Sequence, residues 1–503
     1  MRAMRWIAAC EWACLLLAAC GTGHEAPAQR DAGASMAPVP VGALTREQLR
    51  DPTACKSCHP THYREWASSM HAYAARDPVF VAMNKRGQRE THGKLGDFCI
   101  KCHAPMAVVD KTSKDGLDLD RLPDKERGVS CYFCHNATGV EGDHNAMVHL
   151  ANDTTMRGPI RDPVQPGVHQ VELSETFDNL SPKSTAMCGG CHDIVTPNGV
   201  HLERTLEEYR SGIFSKSATG VPPAFDSCVG CHMPPRQGFA AVAPEGVGQR
   251  MVHEHLWPGI DVPLTDFPHR DALRGAVEDC QLRLGGVSFF TLEVTPPDLF
   301  SFQIETLAGH NEPSGAAQDR RMWLEFLAYD KGGRLLEQVS SGHVADGEIE
   351  ERPEDDPKHD PHLLALRDRI YGADGKPVHM FWDAAKSMTH SDGYESSVIP
   401  AAATSYIDGT HSVLKQFRAS GPDGLPARVT ARLRMRPIGL DVLQDLVDSG
   451  DLDPSIVAAM PTFTFGAQIE WTPENGVMNT VAANRKVSDC TTYRCLLDPQ
   501  SCK

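Results

Sequence analysis

Cys55-Lys-Ser-Cys58-His59 is the first of five copies of one arrangement in this chain. The others are Cys99-Ile-Lys-Cys102-His103, Cys131-Tyr-Phe-Cys134-His135, Cys188-Gly-Gly-Cys191-His192 and Cys228-Val-Gly-Cys231-His232, and none follows residue 232. Two cysteines three apart present both sulfurs to the two vinyl groups of one porphyrin, and the next residue, histidine, then lies under the iron as its proximal ligand. Structural zinc draws four ligands from paired knuckles. Five copies would strand one knuckle, and zinc gives no reason for histidine after every second cysteine. The motifs therefore predict five covalently attached haem c groups, with His59, His103, His135, His192 and His232 as proximal iron ligands.

Five haems in about two hundred residues leave little room for an ordinary apolar core between them. The porphyrins themselves are expected to form the interior of residues 51–260. Pro163, Pro166, Pro182, Pro197, Pro222, Pro223, Pro234 and Pro235 interrupt that stretch, so short helices and loops are expected. Beyond it the texture changes to short alternating runs. Ala427-Arg-Val429-Thr-Ala431-Arg-Leu433-Arg-Met435 is apolar at every odd position, the pattern of a half-buried strand; Phe300-Ser-Phe302-Gln-Ile304 and Met322 to Tyr329 read likewise. The expected fold class is multidomain: a haem-cored, short-helix and loop N-terminal domain, then an antiparallel β-sandwich over 261–480. Glu348 to Asp360 reads as a solvated acidic loop, Leu440 to Met460 as a helical cap on the sandwich.

The 503 residues carry 66 acidic and 49 basic side chains, a formal charge of −17, which argues against nucleic acid and favours redox partners with a basic docking surface. Residues 1–19, with Arg2, Arg5 and the run Leu15-Leu16-Leu17-Ala18-Ala19, have the layout of an export signal, and the apolar run is too short to span a bilayer as a mature helix. Leu17-Ala18-Ala19-Cys20 resembles the lipobox of bacterial lipoproteins. That resemblance implies cleavage before Cys20, its acylation, and a protein anchored to a membrane in the periplasm or at the cell surface. Residues 20–50, rich in Ala, Gly and Pro, read as a flexible tether. Outside the leader and the motifs four cysteines remain, Cys280, Cys490, Cys495 and Cys502, an even number that suggests disulfides in or near the second domain and an irregular tail over 481–503.

After the first motif His59, Tyr63, Trp66 and Met70 are spaced as one helical face. In a continuous helix His71 lies about 18 Å beyond His59 and must serve another haem. Cys-x-x-Cys-His-x-x-x-Tyr-x-x-Trp-x-x-Ser-x-His-Ala, matched from Cys55 to Ala72, resembles the opening of the multihaem cytochrome c-554 family, whose haem arrangement is shared with hydroxylamine oxidoreductases and pentahaem nitrite reductases. The resemblance implies that His71 is the distal ligand opposite His135, that His144, or next to it His149, returns to the haem on His59, and that the haem on His103 has an open iron. The fifth motif departs from the family's pattern. His62, His92, His169, His201, His253 and His255 are further imidazoles in the same region, of which His201 and either His253 or His255, the latter first, are the remaining distal candidates. Met106 and Met233 read as packing residues.

Gly309-His310-Asn311-Glu312-Pro313-Ser314-Gly315, followed by Arg320-Arg321-Met-Trp323-Leu324, resembles the β-sandwich appended to many exported multihaem cytochromes. His310 reads first as a turn residue before a strand, with a haem or a bound ion as the alternative partner. Three functions are compatible with these features. The first is an electron carrier between redox partners at the bacterial envelope. The second is an oxidoreductase acting on a small nitrogen or sulfur compound at one open iron, with no acid–base constellation and no lysine in place of a motif histidine to mark it. The third is an assembly or adhesion module of a conductive cytochrome complex.

Overall fold

The computed structural model describes residues 42–479 except 179–180, 217–226, 244–246, 284–287, 307, 345–346, 350, 353–354, 404–408 and 421–423. The leader with Cys20, the tail with Cys490, Cys495 and Cys502, and the Cys280 side chain lie outside the described residues. Among the described residues no helix is long and apolar enough to cross a membrane.

The N-terminal half is built of short helices joined by turns and two-stranded ribbons. The end of the expected tether is folded: Thr45 caps the helix Arg46–Leu49, Leu49 is buried, and Arg50 is buried against Asp110 and Glu126. The helix after the first motif is broken. It runs Pro60–Ala67, stops at Ser68, and restarts as Met70–Tyr73 with the Ser69 hydroxyl accepting from the Ala72 amide. Serine at that position caps a new helix more readily than it continues an old one. The restart re-aims His71. Trp66 Nε1 donates to the Val129 carbonyl at 2.8 Å and the Val129 amide to the His71 carbonyl at 2.8 Å, which ties this segment to the third motif.

The C-terminal region holds antiparallel sheets. Strands Ser412–Arg418, Leu299–Thr306 and Ser288–Thr295 form one, in that order; Ala365–Leu366, Arg321–Tyr329, Arg428–Arg436, Phe463–Thr472 and Gly476–Asn479 form another. Leu299–Thr306 and Arg428–Arg436 bury alternate residues, as their sequence patterns require. Arg321–Tyr329 does not alternate and is buried on both faces: its polar members are paired, Glu325 with Arg432 and the Trp323 indole with the Gly342 carbonyl at 3.0 Å. Phe326 joins the two sheets, stacked on Phe417 at 4.3 Å and tilted against Phe300 and Phe302, each at 5.7 Å. Nor is the acidic loop simply solvated, since Glu348 binds Arg436 at 3.0 Å beside the buried Arg321.

Helices Leu440–Asp448 and Pro454–Ala459 pack against the N-terminal helix Pro78–Glu90. Val79 and Ala82 meet Val442, Leu443, Leu446, Ile456 and Trp382 in one apolar cluster. Arg89 grips Asp451 with two bonds of 2.6 Å, and Trp382 Nε1 donates to Glu90 at 3.0 Å. The expected cap on the sheets is thus also the joint between the two halves. Leu443→Ala, at a fully buried position, is expected to cost about 2–5 kcal/mol, whereas Leu414→Ala, 62 % exposed, should stay within about 0.5 kcal/mol of the parent. Chemical denaturation followed by circular dichroism checks both.

Candidate haem sites

Each motif lies on about one helical turn. The His59, His103 and His192 amides donate to the carbonyls of Cys55, Cys99 and Cys188 at 2.8, 3.3 and 3.0 Å, while Cys131–His135 and Cys228–His232 are whole helices, each started by a capping serine, Ser130 or Ser227. Residues three and four apart on a turn share a face, so both sulfurs and the imidazole face the same way. Nine of the ten thiols are fully or partly buried, and burial pushes Cys99 and Cys134 up to about 12. Among the described residues no group of three or more His, Cys, Asp or Glu side chains is arranged to hold a metal ion. A c-type haem asks only for the two sulfurs and one imidazole.

Three of the motif histidines are held in one tautomer by a backbone carbonyl. Nδ1 donates to the carbonyl of Ala240 from His59 (2.6 Å), of Ala74 from His103 (3.2 Å) and of Arg157 from His135 (2.6 Å), which leaves Nε2 for iron. Burial depresses the pKa of His59 and His103 to about 4 and lowers those of His135 and His192, so the rings are neutral ligands at neutral pH.

Two Fe–N bonds of about 2 Å, with the distance from each nitrogen to its ring centre, put the centres of two imidazoles on one iron about 6.3 Å apart. Three motif histidines have a partner at that spacing. His169 stands 6.4 Å from His59, His255 6.2 Å from His135, and His71 6.2 Å from His192. His169 and His255 again tie Nδ1 to carbonyls, of Gln170 and His253, at 3.0 and 2.9 Å. The buried Glu65 accepts the His255 amide at 3.0 Å and is paired with Arg236 at 3.1 Å, so it fixes where His255 enters. His62 also comes within 6.3 Å of His59, but it sits only three residues along the same turn.

The structure thus faces His71 toward His192, where the family resemblance paired it with His135, and it gives the place opposite His59 to His169, where the resemblance put His144. His144 binds Asp143 at 2.6 Å and lies 6.4 Å from His201, itself held by Arg204 at 2.5 Å; His149 reaches Glu141 at 3.2 Å. None of these three faces a motif histidine. Met106 is fully buried as packing. His103 differs from its counterparts: Phe80 stacks beside it at 4.0 Å, and among the described residues no second imidazole faces it.

Residues 54–136, which contain the first three motifs, match the family model described as cytochrome c554 and c-prime. Over that segment the chain is similar to multihaem c-type cytochromes. Its fold is similar to the crystal structure of a penta-heme cytochrome c552 from Thermochromatium tepidum, with a TM-score of 0.53 and 20 % identity over 85 % of this chain and 98 % of that one. No curated protein sequence matches. The family match supports covalently bound haem c over the matched residues. Replacing both sulfurs of the third motif, Cys131→Ser with Cys134→Ser, is expected to lower covalently bound haem by one group per chain, as read by pyridine haemochrome absorbance against protein mass.

Proposed function

We propose that this chain carries electrons between redox partners at the bacterial envelope, using five covalently attached haems, one on each motif. The observation that carries the reading is the set of paired imidazoles, His59 with His169, His135 with His255 and His192 with His71, each at the separation that one iron imposes. An iron held by two imidazoles passes one electron between its ferric and ferrous forms at low potential and offers no free position to substrate. The protein's part is orientation: backbone carbonyls fix the rings of His59, His169, His135 and His255, burial keeps the motif rings neutral, and Glu65 sets the entry of His255.

The attachment points suggest the order of transfer. The Cys55 and Cys131 thiols lie near enough to influence each other, as do Cys102 with Cys191 and Cys188 with Cys228, and Cys134 lies within electrostatic reach of Cys191. Motifs one, three, four and five then form a line, and motif two joins at the fourth. The acidic surface suits a partner with a basic docking face, the leader suits anchoring through acylated Cys20, and the sheets joined at Phe326 suit a sandwich domain from about residue 261. The pairing behind this line is testable in variants. His169→Ala is expected to convert one low-spin haem to high spin in ferric electron paramagnetic resonance, and His144→Ala to leave the spin count unchanged; the reverse result rejects the pairing.

A second reading is favoured by His103, which has no facing imidazole among the described residues. Its iron would then be open, and the same chain could reduce or oxidise a small nitrogen or sulfur compound there. Cyanide or carbon monoxide binding to a single haem, with turnover of nitrite or hydroxylamine, is the outcome expected of an enzyme; a carrier binds neither and turns over neither.

A further inference from the structure

The fifth motif histidine, His232, also has an imidazole opposite it. His310 stands 6.3 Å from it with the two rings only 19° from parallel. The separation equals that of the three pairs within the N-terminal half, yet His310 belongs to the C-terminal region, in the loop that follows strand Leu299–Thr306. Both rings are prepared in the same manner as those of His59, His135, His169 and His255. His232 Nδ1 donates to the Pro258 carbonyl at 3.4 Å and His310 Nδ1 to the Asn311 carbonyl at 2.9 Å, so Nε2 is the free nitrogen on each. Burial, with the neighbouring His310 next, depresses His232 to about 4.

The loop is clamped on both sides. From the N-terminal half, Glu208 in helix Thr205–Ser211 accepts the Asn311 amide at 3.1 Å and the Ser314 hydroxyl at 2.6 Å, and Thr205 Oγ1 accepts the Gly315 amide at 3.1 Å. From the C-terminal region, Asn311 Oδ1 accepts the Ala401 amide at 2.9 Å, Glu312 exchanges backbone bonds of 2.8 Å with Ile399, and the Glu312 carboxylate accepts from the Thr306 hydroxyl at 2.8 Å. A turn histidine with no task needs no such fixing.

We propose that His310 is the second axial ligand of the iron on the fifth motif, so that the C-terminal region completes a haem site begun in the N-terminal half. Seating of the sheets then decides whether the last haem of the line is closed by imidazole or open, and Glu208 is the positioning residue that couples the two. The proposal rests on the haem reading above and is separable from it.

Pyridine haemochrome on the parent chain tests the haem reading by itself, with five groups expected. On the same sample, near-infrared magnetic circular dichroism should count four haems with two imidazole ligands; a count of three would overturn the role of His310 while leaving five haems in place. His310→Ala should keep five haems and add one high-spin ferric haem, returned to low spin by added imidazole. His310→Met, which still offers a ligand, should give one methionine–iron charge-transfer band and raise one reduction potential. Glu208→Ala should give a high-spin fraction between parent and His310→Ala. Unchanged spin and potentials in the folded His310 variants would reject the assignment.

Discussion

One turn of backbone sets two sulfurs and an imidazole on the same side, and most of the N-terminal half follows from repeating that constraint five times. A turn so used cannot also present an apolar stripe to neighbouring helices. The consequence is visible in the burial: the largest apolar cluster lies between Leu256 and Trp471, whereas the clusters around Ile100 and around Tyr132 are small. Porphyrin area takes the place of that missing core, and burial of apolar surface is the dominant favourable contribution to folding. Haem attachment and folding are therefore coupled in this half, as ligand binding to a native state always is.

The same constraint explains why the imidazoles are oriented from far away in sequence. His59 is held by the carbonyl of Ala240, 181 residues on, and His103 by that of Ala74. A haem exposes two faces, and the motif supplies only one. The other face and the carbonyl behind each ring come from whatever segment the fold returns there, including, on our proposal, the loop of His310. The helix Pro78–Glu90 acts as the hinge pin between the halves: one side holds Phe80 against His103, the other holds Val79 and Ala82 against the helices Leu440–Asp448 and Pro454–Ala459.

The attachment chemistry was legible because it is local. Cys-x-x-Cys-His needs nothing beyond five consecutive residues, and the alternating strand at Arg428–Arg436 needs nothing beyond nine. The facing imidazoles were not legible in this way, since they depend on long-range return of the chain. The break at Ser68-Ser69 redirected His71, and two serines before Met70 are a signal for it that a reading of one continuous helical face passes over. His169, next to a parallel pair of short strands Thr155–Gly158 and Gln170–Leu173, carries no local mark at all. The acidic stretch from Glu348 looked solvated because its partners, Arg321 and Arg436, lie on strands distant in sequence.

The central claim is that porphyrin is the interior of the N-terminal half and side chains are the interior of the rest. Hydrogen exchange on the chain made in a host without cytochrome maturation tests it directly. Amides of residues 51–255 should exchange at the rate of an unfolded chain, while those of the strands between 299 and 472 stay protected. Protection of both halves alike in haem-free protein would contradict the account.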